Sequence, residues 1–84
     1  MGRRRGEFQI LIDILTISLK GVKFTHLMYK ANLSYSTLRK YLLAMSKQGL
    51  IEVNNDNGYT VYCVTEKGRL VLNRLKEVKN VLLV

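Results

Sequence analysis

Residues 31–64, ANLSYSTLRKYLLAMSKQGLIEVNNDNGYTVYCV, carry the order of elements that decides the fold. Near their start, Asn32-Leu33-Ser34 interrupts one apolar pattern before another begins. Asn tolerates the left-handed backbone that a tight turn between helices needs, and Ser34 suits the N-cap of the helix that follows. From about Tyr35 to Gln48, Leu38, Tyr41, Leu42 and Met45 recur at helical spacing on one face. Gly49 then stands where a helix-terminating glycine belongs. Leu50 to Asn54 and Tyr59 to Val64 read as strands, joined by Asn57-Gly58, the residue types that accept the positive φ of a two-residue hairpin turn. With that turn, Ile51 pairs with Val64 and Val53 with Tyr62 on an apolar side, and Glu52, Asn54, Val61 and Cys63 take the other.

Upstream, residues 1–6 read as a flexible basic arm, with Arg3, Arg4 and Arg5 between glycines. A helix follows from Glu7, with Phe8, Leu11, Ile12, Leu15 and Leu19 on a buried face and Gly21 at its end. Ile10, Ile14 and Ile17 form a second apolar stripe on it. A helix apolar over so much of its circumference must be covered on two sides, and a second subunit is the expected second cover. A short helix from about Thr25 to Ala31 turns Leu27 inward. Downstream of the hairpin, Thr65 caps a last helix that reaches about Asn80 or beyond, on which Val71, Leu75, Val78 and Leu82 keep the 4, 3, 4 spacing of a coiled-coil seam. The two terminal helices together are the expected homodimer interface.

Three helices, a two-stranded β-hairpin wing and a C-terminal dimerisation helix describe a mainly α (α+β) fold, a winged helix-turn-helix. It occupies residues 7–84 as one domain, with the C-terminal helix from about residue 65. The 14 Lys and Arg outnumber the 6 Asp and Glu, so the chain carries a formal +8 and favours nucleic acid or another anionic surface. One cysteine, Cys63, allows neither an intrachain disulfide nor a four-cysteine zinc site; an intersubunit disulfide is the alternative left to it. The apolar run Ile10 to Leu19 is too short to span a bilayer and contains Asp13. His26 has no evident catalytic or metal partner, and no paired acids, phosphate loop or nucleophile with a base can be found. The expectation is therefore no enzyme, no cofactor, no metal and no membrane.

The stretch Lys23 to Glu52, KFTHLMYKANLSYSTLRKYLLAMSKQGLIE, resembles the archaeal winged-helix family that includes coiled-coil chromatin proteins and small viral or plasmid regulators. Carrying the resemblance are Thr25 opening the second helix, the Ala31-Asn32-Leu33 turn, Tyr35, Tyr41-Leu42 and Gly49-Leu50-Ile51. Val64-Thr65-Glu66-Lys67-Gly68 then resembles the family's entry into its last helix, and the likeness spans roughly residues 7–76. It implies binding to double-stranded DNA. Chromatin members have a longer C-terminal helix, so a compact dimeric transcription regulator, in the host cytoplasm or nucleoid, fits better than a rod-like DNA-organising protein.

In helix-turn-helix proteins the N-terminal half of the second motif helix enters the major groove. Tyr35, Ser36, Thr37, Arg39 and Lys40 are thus the base-reading candidates, and Lys47 continues their face toward Leu43. Lys23, Thr25 and Lys30 suit phosphates, which need charge or a hydroxyl and little geometry. At the wing, Asn55, Asn57 and Tyr59 are weaker candidates, because Asp56 is repelled by phosphate. Arg3, Arg4 and Arg5 either enter an adjacent minor groove or only raise the local potential. The rivals are a protein-binding adaptor, whose face should be more apolar, and an RNA binder, which should show more stacking aromatics.

Overall fold

The structure is a computed structural model and describes residues 5–83. Its elements are α1 (Glu7–Ile17), a single 3-10 turn (Ser18–Lys20), β1 (Val22–Lys23), α2 (Phe24–Ala31), α3 (Tyr35–Lys47), β2 (Ile51–Asp56), β3 (Tyr59–Val64) and α4 (Glu66–Leu83). Local chemistry sets most boundaries. Asn32 ends α2 in the left-handed region at φ 56°, and the Leu33 amide donates back to the Met28 carbonyl at 3.1 Å. The Ser34 hydroxyl accepts the Thr37 amide at 3.2 Å and so caps α3. Gly49, at φ 76°, lets the chain leave α3 with the Leu50 amide bonded to the Met45 carbonyl.

The hairpin has the register expected of an Asn57-Gly58 turn. Ile51 faces Val64, Val53 faces Tyr62, and both turn residues have positive φ. The sheet, however, has three strands in the order β1-β3-β2. Val22 and Lys23 pair with Tyr62 and Val61, which makes β3 central and covers its second edge. Two residues are too few to show a strand's alternation, and their partners lie far along the chain, so this pairing left no pattern in the sequence.

One core joins all the elements: Ile12, Ile14 and Leu15 of α1, Leu27 and Ala31 of α2, Leu38, Leu42 and Met45 of α3, Ile51 and Val64 of the hairpin, and Leu72 of α4. The first helix departs from expectation. It ends at Ile17 and continues as the 3-10 turn before Gly21; Ile12 and Leu15 of the expected stripe are buried, and Ile14 of the second stripe is buried with them. Phe8, in the first turn, is 37% exposed, whereas Ile14 is 0% exposed within a helix that packs against both α2 and α4. Ile14 therefore has no surface to offer a second subunit.

Helix α4 crosses the start of β2 at short range. A Cβ on Gly68 would stand 2.2 Å from the Leu50 carbonyl oxygen, so only glycine permits this approach. The joint is tied by the Thr65 hydroxyl, which accepts the Gly68 amide at 3.0 Å, and by the Lys67 ammonium, which donates to the Gln48 carbonyl at 2.7 Å. Lys67 thus satisfies a carbonyl at the C-terminal end of α3, where positive charge is favoured.

Candidate nucleic-acid interface

Opposite its core residues, α3 exposes Tyr35, Ser36, Arg39, Lys40, Leu43 and Lys47. Among the described residues, none of Arg39, Lys40 and Lys47 is held in an ion pair. Their charge is free to meet an anion. Arg39 lies on the flank toward the wing, beside a small cleft that it shares with Phe24, Leu43, Ser46, Val53 and Tyr62. Lys40 lies on the other flank, with Tyr41 and Ala44, near Glu7 at the start of α1. Burial and the neighbouring Glu7 carboxylate both push the Tyr41 hydroxyl above its ordinary pKa, so it stays neutral. Thr37 is the exception among the reading candidates. It is half-buried, and its hydroxyl accepts from Ser34 at 2.9 Å within the cap.

An aromatic chain fixes how α3 sits against the rest of this face. The Phe24 ring lies 5.0 Å from that of Tyr35 and 6.1 Å from that of Tyr62, tilted in both pairs as ring quadrupoles prefer. One residue earlier, the Lys23 ammonium sits 3.7 Å above the Tyr59 ring, a cation–π contact that ties the start of α2 to the wing. Thr25 is exposed at the start of α2, and Asn55, Asn57 and Tyr59 are exposed on the wing. Helix α3, the start of α2 and the wing therefore form one connected surface.

Two groups of expected residues sit elsewhere. Arg5 is not part of a free arm. Its guanidinium bonds Asp13 at 2.6 Å and the carbonyls of Ala31 and Asn32, and so caps the C-terminus of α2. Arg3 and Arg4 lie outside the described residues. Lys30 projects with His26 from the flank of α2 that lines a cleft with the 3-10 turn and β1, whereas Phe24 marks the flank that meets α3. Sequence reasoning missed Lys20 on that cleft, and also Val53, which the hairpin pattern placed on the apolar side but the structure leaves half exposed. Leu43 was visible on the open face of α3 as the apolar residue between Lys40 and Lys47.

The expected dimer surface is also rearranged. Val71 and Leu75 are half-buried against the chain's own core, as are Ile10 and Ile17, and the Leu82 side chain lies outside the described residues. On α4 the expected seam residue Val78 stays 44% exposed, and Leu70 and Val81, each one position before an expected seam residue, are 62% and 77% exposed. No helix among the described residues is long and apolar enough to cross a membrane, and no group of three or more His, Cys, Asp or Glu among them could hold a metal.

This order of helices, with a three-stranded sheet whose hairpin flanks an exposed third helix, defines a winged helix-turn-helix. Residues 4–83 match the sequence profile of that family, and the chain belongs to it. An uncharacterised protein from Methanocaldococcus jannaschii is 33% identical over 76 residues, which are 89% of this chain but 34% of that one, so the chain spans about a third of that relative. Sso10a-2, a DNA-binding protein from Sulfolobus solfataricus, superposes with a TM-score of 0.83 at 30% identity over 92% of this chain and 81% of its own. The transcriptional regulator BldR from the same organism shares the fold, with a TM-score of 0.81 at 20% identity over 88% of this chain and 56% of its own.

Proposed function

We propose that the protein binds duplex DNA as a homodimer and regulates transcription, inserting α3 into the major groove. The observation that carries this reading is the open face of α3, where Arg39, Lys40 and Lys47 stand without a carboxylate partner among the described residues. Start of α2 and wing flank it. Arg39 is the principal base reader, because a guanidinium can bond guanine O6 and N7 together. Leu43 and Val53 add apolar surface beside it, suited to a thymine methyl group. Tyr35, Ser36, Lys40, Lys47, Lys23 and Thr25 take phosphates or base edges around it, and Asn55, Asn57 and Tyr59 follow the backbone from the wing. Such a role places the protein with the DNA, in the cytoplasm or nucleoid.

The dimer forms between terminal helices. Leu70, Val78 and Val81 leave apolar side chains exposed on α4, on the same flank as the Arg74–Glu77 ion pair, and Phe8 of α1 is exposed as well. Random-site selection on duplex DNA at two salt concentrations tests the function. A regulator yields a two-fold symmetric consensus with half-sites about one turn, roughly 34–36 Å, apart, and log affinity falls linearly with log salt by about 0.9 per phosphate contact. Affinity indifferent to salt would remove the reading and promote a protein-binding adaptor. Nonspecific DNA organisation would give the same salt slope with no consensus.

A further inference from the structure

Behind α2, on the flank away from α3, an open cleft of about 680 Å³ lies among the end of α1, the 3-10 turn, β1 and β3. We propose that it binds a small amphipathic anion, a carboxylate or phosphate ester carried on an apolar body. Lys20, Lys23, Lys30 and the His26 imidazole surround it, and no Asp or Glu lines it. None of the three lysines is in an ion pair among the described residues. Lys20 and Lys30 bring positive charge to a cleft with no acidic residue in its lining, and an anion there offsets their repulsion.

The rest of the wall is apolar: Ile17, Leu19, Val22 and Val61. These side chains are half-buried, so part of their surface still faces water. A bare phosphate or a DNA backbone gains nothing from that surface, whereas a ligand with an apolar body buries it. The volume falls within the roughly 300–1,000 Å³ of small-molecule sites. The site does not depend on which macromolecule α3 meets. It is nevertheless connected to the wing, because Lys23 both lines the cleft and holds the Tyr59 ring at 3.7 Å. An anion that draws this ammonium inward loosens the tie between the start of α2 and the wing.

Fluorescence titration with anilinonaphthalene sulfonate, an aromatic sulfonate that brightens on leaving water, is the test. The expected result is saturable binding of one probe per chain. It should weaken by about tenfold or more, some 1.4 kcal/mol, when Lys20→Glu and Lys30→Glu are combined, with circular dichroism and Tm unchanged. Phenyl phosphate should displace the probe, and inorganic phosphate at matched ionic strength should not. Unsaturable binding, or equal binding by the double variant, would place the probe on the exposed apolar side chains of α4 and overturn the proposal. Equal displacement by inorganic phosphate would reduce the cleft to a charge site without selectivity for an apolar body, and would overturn it too. So would finding that Lys20→Glu weakens duplex binding as much as probe binding, since the cleft would then be a stretch of DNA footprint.

Discussion

At Gly68 two effects oppose each other. Alanine is the better helix former by about 1 kcal/mol, so propensity alone predicts that Gly68→Ala stabilises α4. The added Cβ, however, would meet the Leu50 carbonyl at 2.2 Å, a backbone atom that cannot turn aside. Overpacking of this kind costs about 1–3 kcal/mol or more, so the variant should lower Tm; an unchanged or raised Tm would show that the α4–β2 approach is looser than described. Ser18 presents the reverse case. Its hydroxyl is fully buried with no hydrogen-bond partner among the described residues. Because an unsatisfied buried hydroxyl costs about 1–3 kcal/mol, Ser18→Ala should leave stability unchanged or raise it in thermal unfolding. On the open face of α3, Arg39→Ala should weaken binding to a selected site by about 1–3 kcal/mol while sparing random duplex. Lys47→Ala should weaken both alike. Equal losses on both DNAs from Arg39→Ala would mean that it touches only phosphate.

Among the elements, α2 is held at both ends by side chains from elsewhere. Its C-terminal carbonyls receive Arg5, which Asp13 of α1 holds in place. Its start carries Lys23 above Tyr59 and Phe24 against Tyr35. The placement of α3 therefore rests on contacts that begin outside it. Arg5→Ala should cost about 1 kcal/mol, the scale of a partly exposed ion pair added to a helix-end charge. The same substitution in an Asp13→Ala background should cost less, since the pair is already broken. If the two losses simply add in urea unfolding, Arg5 and Asp13 act independently and the cap does not rest on their pairing.

For the whole molecule, the question is which apolar surface the fold consumes and which it leaves. Ile14, Ile12 and Leu15 are consumed by the chain's own core. Leu70, Val78 and Val81 are left open on α4. Leu70→Glu combined with Val78→Glu should thus convert a dimer to a folded monomer in analytical ultracentrifugation, because both positions are exposed within the chain. A wild-type protein that sediments as a monomer at micromolar concentration, with or without DNA, would remove the dimer. Loss of dimerisation should also flatten the salt dependence of DNA binding, since one subunit neutralises fewer phosphates than two.

Whatever rests on neighbours in the chain was legible in the sequence. The Asn32 turn, the Ser34 cap and the Asn57-Gly58 hairpin with its register follow from the φ a residue tolerates and from hydrogen bonds a few positions away. So does the open face of α3, which is set by helical period. What depends on the packing of distant segments was decided by tertiary structure alone. Strand β1 exists because β3 offers it an edge. Ile14 is buried because α2 and α4 close on α1 from two sides. Arg5 leaves the basic arm because it finds Asp13 and the carbonyls of α2. Lys20, Lys23 and Lys30 share one cleft because the 3-10 turn and β1 fold alongside α2. Periodicity tells which residues of a helix face the same way, but not which neighbour occupies that side, and at these positions the neighbour set the role.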